Sequence, residues 1–495
     1  MRRWQDRYTT LFGVAMALAV LGRPVASVLG NLVHPADPRQ VGAGLALVTV
    51  AYAGYLAVVR AAGPVVLGAA DASWRLLSPL PRRTVLGGTA RTLLVISILG
   101  GLVLGTTLVA VLGAPDLLPL RLAAALVIGL GAGLGGMAIG VLGQAFPTWD
   151  AWLQALIALT VAVAVLMAVS GPGPGRVAAA LPAGVVGAVA CCTAAVAAFL
   201  VRRAWTALDR VPARAILAAS ARSGRVAQAT VTLDPGALTW SVEDNHWRGR
   251  ALRSRRWPVP GAWALAWQEA RRAGRRPVRL AVLAGAAALP ALAVTAGLSQ
   301  VAVALTAMGT LAAAVSVTSG ARRDGDNPAL LRALAVGPRT ALAVRALPPA
   351  LFGACWLGAA LAGLSVSGAL GTGAWWPLLG PACGPVLAIA ALRMARRRPI
   401  DHSMPVIDTP GGAIPTGPLL WGLTGVDLAL PGCAPALLAL AVRPADPLPF
   451  LVAQTLTGLA LLGGYVALSA GGSRRRPTRN GRAPAAGSSS PNRRP

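Results

Sequence analysis

The residues able to do acid–base, nucleophilic or metal chemistry are few and scattered in this chain. Its 495 residues include 16 carboxylates, three histidines and five cysteines. His34, His246 and His402 lie far apart and have no metal-ligand spacing. Cys191, Cys192, Cys355, Cys383 and Cys433 sit in or beside apolar runs with no Cys-x-x-Cys pair. They read as small buried hydrophobes, not as a zinc site or a disulfide framework. No two carboxylates are spaced to share a site, and no Ser/His/Asp set is spaced for catalysis. An enzyme acting on a lipid would have to draw on Asp37, Asp116 or Asp446. No metal, no cofactor and no enzymatic activity are expected.

All 45 basic residues are arginine. Without lysine the chain cannot build a P-loop, a protein-kinase nucleotide site or a Schiff-base enzyme. If ATP drives this protein, the ATPase is a separate chain. Two charges fall within apolar runs, where a charge costs about 2.5–3.5 kcal/mol and marks a functional candidate. Arg23 is too deep in its run to reach water comfortably. Asp427 either lies inside its run or caps a helix that begins there.

The elements that must position these residues are membrane spans. The chain is 55% apolar and only 12% charged, about half the usual charged share. Residues 151–175, 177–201 and 280–321 carry no charge at all, which marks membrane spans and not core helices. The fold class expected is all-α and polytopic, with about twelve transmembrane helices arranged as two six-helix parallel repeats. The spans fall at residues 8–33, 41–59, 92–112, 121–143, 151–170 and 178–201, then at 278–297, 300–320, 346–366 and 377–392, somewhere within 418–442, and at 447–470. Gly131, Gly133, Gly135, Gly136 and Gly140 let the fourth span approach its neighbours closely. Trp375 and Trp376 mark a membrane interface. The units are 1–203, a first six-span repeat; 204–262, an arginine-rich cytoplasmic linker; 263–472, an interfacial helix and second repeat; and 473–495, a disordered basic tail.

Positive charge orients the chain, because short cytoplasmic loops hold the excess of basic residues. With the amino terminus inside, every arginine except Arg23, Arg39, Arg121, Arg176 and Arg443 falls on the cytoplasmic side. Both termini are therefore expected in the cytoplasm, with the protein in the cell membrane. The net charge of +29 follows from this bias and suits an anionic lipid bilayer; no nucleic acid is expected as a partner.

Two loops look alike. One reads Leu76-Leu77-Ser78-Pro79-Leu80-Pro81-Arg82-Arg83-Thr84-Val85-Leu86. The other reads Leu330-Leu331-Arg332-Ala333-Leu334-Ala335-Val336-Gly337-Pro338-Arg339-Thr340-Ala341-Leu342. Each lies between the second and third span of its half. Ahead of the second half, Trp263, Trp267, Glu269, Arg271 and Arg272 make a helix with an aromatic start and a basic end, suited to the membrane interface.

In these residues each half resembles a permease domain of the ABC-2 type. The helix Trp267 to Pro277 and the Leu-Leu-x-x-Leu-Pro loop at Leu76 to Leu86 carry the likeness; Leu330 to Leu342 fits more loosely. The chain also resembles uncharacterised actinobacterial multi-pass membrane proteins that share the Pro/Gly-rich element at residues 408–418. The permease likeness implies that Leu76, Leu77, Arg82, Arg83, Thr84, Leu330, Leu331, Arg339 and Thr340 dock a separate ATPase subunit. It implies the membrane subunit of an ATP-driven exporter. The alternative is a non-transporting membrane scaffold with a permease-like fold. A secondary transporter ranks third, since Gly63 to Arg75 lacks the loop expected after a second span.

Overall fold

The computed structural model describes residues 37–471 apart from 69–78, 114–116, 172, 232–258, 328, 372, 398–399, 401–402 and 410–411. The first expected span, Arg23, Leu76, Leu77, the middle of the linker, the tail and both termini lie outside the described residues.

The amino-terminal half contains α1 (Pro38–Ala62), α2 (Arg82–Leu112), α3 (Leu118–Ala145), α4 (Pro147–Val169), the short α5 (Gly173–Ala179), α6 (Ala183–Ala207) and α7 (Ala213–Val231). The carboxy-terminal half has α8 (Trp263–Gly274), α9 (Pro277–Ala286), α10 (Leu289–Thr295), α11 (Ser299–Val315), α12 (Ser319–Asp326) and the short α13 (Ala329–Ala333). It continues with α14 (Pro338–Val366), α15 (Leu379–Ala395), α16 (Thr416–Leu423), α17 (Val426–Gly432), α18 (Ala434–Val442) and α19 (Leu448–Gly471). Between α15 and α16, β1 (Val406–Thr409) pairs antiparallel with β2 (Gly412–Pro415), Ile407 opposite Ile414. This hairpin is the one departure from an all-α fold among the described residues.

Nine helical segments among the described residues are long and apolar enough to cross a membrane. The count is ten if α11 and α12, bent by 60° at their junction, form one span. Leu94, Val95, Ile96 and Leu99 of α2 and Val165, Leu166 and Val169 of α4 are exposed. Such apolar outer faces are what a bilayer solvates, since helices satisfy their own backbone groups there.

One helix in each half is wrapped by its neighbours. In the first half it is α3, whose glycines sit where other backbones approach. A Cβ on Gly129 would fall 2.3 Å from the Gly101 carbonyl oxygen of α2, and one on Gly136 would fall 2.9 Å from Leu56 of α1. No side chain fits there, so glycine is required. Tyr52 and Tyr55 donate their hydroxyls to the carbonyls of Ala132 and Gly133 at 3.2 and 2.8 Å, fixing α1 on α3. In the second half α15 is central, packed by α14, α19 and α11. A Cβ on Gly380 would lie 2.4 Å from the Ala354 carbonyl oxygen of α14. The halves meet where α10 packs on α1.

Three details stand out. In the first half the packing continues past residue 203. Ala204, Ala207, Leu208, Val211 and Ile216 are buried with Leu86, Val141 and Leu142, so α7 folds back onto the ends of α2 and α3. Trp376 is 2% exposed and stacks on Trp375 at 3.9 Å, so its ring packs against protein and not against lipid. The apolar run 418–442 is not one helix. Gly425 has φ 101°, and Pro431 and Pro435 flank a second break at Cys433, giving α16, α17 and α18. Gln454 of α19, 0% exposed, seals that second break. Its Nε2 donates to the Gly432 carbonyl at 2.9 Å, and its Oε1 accepts from the Ala436 N–H at 3.1 Å.

Candidate functional site

Arginines gather at one end of the bundle. The finish of α1, the starts of α2 and α4 and the turn after α6 meet there through Arg60–Asp150 at 2.7 Å and Arg83–Asp209 at 2.6 Å. Arg393, Arg396 and Arg397 end α15 at the same side, where Arg396 lies beside Gly325 of α12. The opposite end carries Arg39, Arg121, Arg176 and Arg443 among the described residues.

At the arginine-rich end of the second half three elements converge on a buried ion network. Arg345 of α14, 6% exposed, sets its Nε 2.9 Å from Asp324 Oδ2 and its Nη2 3.3 Å from Asp324 Oδ1. Its Nη1 donates to Glu269 Oε1 at 2.9 Å and to the Leu265 carbonyl at 3.3 Å, both in α8. Glu269 is 2% exposed; its Oε2 accepts from Ser319 Oγ at 3.3 Å, and Arg272 lies 3.6 Å from its Oε1. The forked guanidinium suits this geometry, since it can face two carboxylates at once.

Local sequence makes the convergence possible. The turn Ser316-Val317-Thr318 between α11 and α12 is held by Ser316 and Thr318 hydroxyls bonded to the Ala313 and Val315 carbonyls. The turn delivers Asp324 to Arg345. Gly320 then passes directly beneath the network: a Cβ there would fall 1.9 Å from Glu269 Oε1 and 2.1 Å from Arg345 Nη1. Leu265 packs with Ala341, Val344, Leu331 and Val336. The amphipathic helix and the second loop are therefore one packed body. Trp263 and Trp267 remain 59% and 43% exposed on its outer face.

The residues expected to act fall into distinct groups. Glu269, Arg272 and Leu331 belong to this body. Arg339 and Thr340, at the start of α14, are exposed, as are Leu330 and Arg271. The first loop is different. Arg82 donates to the Val211 carbonyl, and Arg83 pairs with Asp209 and donates to the Thr206 carbonyl. Thr84 is exposed beside them. Asp427 lies in the first turn of α17. It accepts from the Gly425 N–H at 2.7 Å and pairs with Arg393 Nη2 at 2.7 Å, as an acid at a helix start does.

Arg345 and Asp324 were not singled out as site residues from sequence. The signal was present. Arg345 stands two helical turns inside a helix that Pro338 begins, and Asp324 sits in the run Arg322-Arg323-Asp324-Gly325-Asp326. In the first half Gln144 plays an unforeseen part. It bonds the Val65 N–H at 2.9 Å and the Val65 carbonyl at 3.0 Å, holding the segment after α1.

Among the described residues no cluster of His, Cys, Asp and Glu could hold a metal. The arrangement ties three helices to one another through buried charge. The profile of DUF6297, a family of unknown function, matches residues 38–405. This stretch takes in both loops and the ion network and stops short of the hairpin, the broken span and α19. No curated protein and no solved structure matches the chain.

Proposed function

The chain belongs to the DUF6297 family, whose function is unknown, and from that premise we propose that it is the membrane subunit of an ATP-driven exporter. In this reading a separate ATPase chain docks on the arginine-rich end. The observation that carries the reading is the buried Arg345–Glu269–Asp324 network. It joins the interfacial helix, the bent span and the start of α14, so a push on the loop before α14 moves all three together. Arg339 and Leu330 lie exposed on that body, available to a partner's carboxylates and groove.

Two further observations support the reading. The arginine bias favours a cytoplasmic position for this end under the positive-inside rule. The halves also pack alike: α2 crosses α3 as α14 crosses α15, α6 lies on α3 as α19 lies on α15, and α1 meets α2 as α11 meets α14. This likeness supports a parallel duplication, in which both loops would lie on one side.

One observation favours a second reading, a non-transporting membrane scaffold. Arg82 and Arg83 are engaged inside the chain, which leaves one loop and not two for an ATPase. Purification of the full-length protein from native membranes separates the two. On the first reading a P-loop ATPase copurifies, and Arg339→Glu with Leu330→Ala lowers its recovery about tenfold without changing thermal stability. Recovery without an ATPase, or one indifferent to both substitutions, supports the scaffold.

A further inference from the structure

The second half encloses a cavity of about 500 Å³ in the part of the bundle away from the arginine-rich end. Thr306 and Thr310 of α11, Leu361 of α14 and Cys383 of α15 line it on three sides, and Cys433 of the broken span lines the fourth. Arg443, at the end of α18, stands at its mouth.

The cavity exists because the broken span does not do what its first-half counterpart does. There α4 packs along the length of α1, with Thr49 Oγ1 3.9 Å from Met167 Sδ, and the Gly171 carbonyl 2.8 Å from the place of a Cβ on Gly42. In the second half α17 packs on α15 and α18 packs on α19, held by Gln454, and neither packs extensively on α11. The place that a side-by-side helix pair would fill stays open.

Its chemistry is two-part. Thr306 and Thr310 donate their hydroxyls to the Ala302 and Thr306 carbonyls of their own helix at 2.7 and 2.6 Å, so the interior presents an apolar wall. At the mouth Arg443 is exposed, with φ 52°, a left-handed conformation uncommon outside glycine. Its N–H is tied to the Ala439 carbonyl at 2.8 Å, which pins the residue there. A volume of this size lies within the range of ligand sites, about 300–1,000 Å³. A small anion would leave the interior unfilled, and a neutral apolar molecule would make no use of the guanidinium. A basic residue at headgroup depth attracts anionic lipid.

We infer that this cavity binds one acyl chain of an anionic amphiphile, taken from the leaflet at the arginine-poor end, with the head group on Arg443. The inference does not rest on ATPase docking.

The test uses the full-length protein in phosphatidylcholine nanodiscs, with Cys191, Cys192 and Cys355 changed to serine so that Cys383 and Cys433 remain. Pyrenyl-maleimide reports access to those two thiols. Oleate should slow labelling about tenfold more than oleyl alcohol, the effect of one charge-assisted hydrogen bond. Arg443→Glu and Arg443→Gln should erase that difference. Ala307→Phe, which fills the cavity from α11, should slow labelling without any ligand. Equal protection by oleate and the alcohol overturns the assignment of the head group to Arg443. No protection by either means that a segment of the chain or bulk lipid occupies the space, and overturns the proposal. A difference that survives in both Arg443 variants overturns it as well.

Discussion

Replacing Arg345 by methionine isolates what the ion network does. Methionine keeps much of the side-chain volume, so little packing is lost. Glu269 and Asp324, 2% and 9% exposed, keep their charges and lose their shared counter-charge. Breaking a buried ion pair in this way costs about 3–5 kcal/mol. Asp324 bears most of it, since Arg345 reaches it twice, at 2.9 and 3.3 Å, whereas Glu269 retains Ser319 at 3.3 Å and Arg272 at 3.6 Å. Replacing all three charges by apolar residues of similar size is often neutral. The triple variant Arg345→Met, Glu269→Met, Asp324→Leu should therefore recover most of the loss. Two readouts on the full-length protein in nanodiscs check this: thermal unfolding, and hydrogen exchange of the α8 amides. The single variant should melt earlier and exchange α8 about a hundredfold faster or more. A single variant that melts with the wild type refutes the role of the network. A triple variant as weak as the single one refutes the argument that unpaired charge, and not lost shape, is what matters.

Other substitutions probe the same framework. Gly320→Ala should loosen α8 as Arg345→Met does, because its Cβ would fall 1.9 Å from Glu269 Oε1; exchange at α8 reads it. Gly129→Ala should lower the melting point by about 1–3 kcal/mol in stability, since the new methyl meets α2 backbone. Arg83→Ala should change stability by under about 1 kcal/mol, because the Arg83–Asp209 pair is 40% exposed on both sides. Gln454→Leu removes both partners of the break at Cys433, at about 1–3 kcal/mol for each buried group left unpaired, and should raise the labelling rate of Cys433.

The helices were legible because membrane spans announce themselves as uncharged runs. Residues 121–143 and 346–366 fall inside observed helices, and 447–470 matches Leu448–Gly471 to within one residue at each end. The helix Trp263–Gly274 was legible because Trp263, Trp267 and Arg271 stand four residues apart on one face. What pairs with what was not legible. Arg345 looked like the closing charge of a loop, because positive charges normally mark where a span meets water; its carboxylate partners come from elements 21 and 76 residues away. Arg82 and Arg83 looked free for a partner because Asp209 and Val211 sat in what read as linker. The run at 418–442 looked continuous because hydropathy averages over Gly425, Pro431 and Pro435, and nothing local reveals that Gln454 closes the gap.

That glutamine also sets an order of assembly. The bonds that close the break at Cys433 come from α19, which follows α18 in the chain and is made after it. Until α19 enters the bilayer, the Gly432 carbonyl and the Ala436 N–H lack those partners in a medium with no water to replace them. α19 is thus an internal chaperone for the helix before it. A chain ended after Val442 should be retained by the insertion machinery or degraded, and supplying residues 443–495 as a separate polypeptide should restore its lifetime.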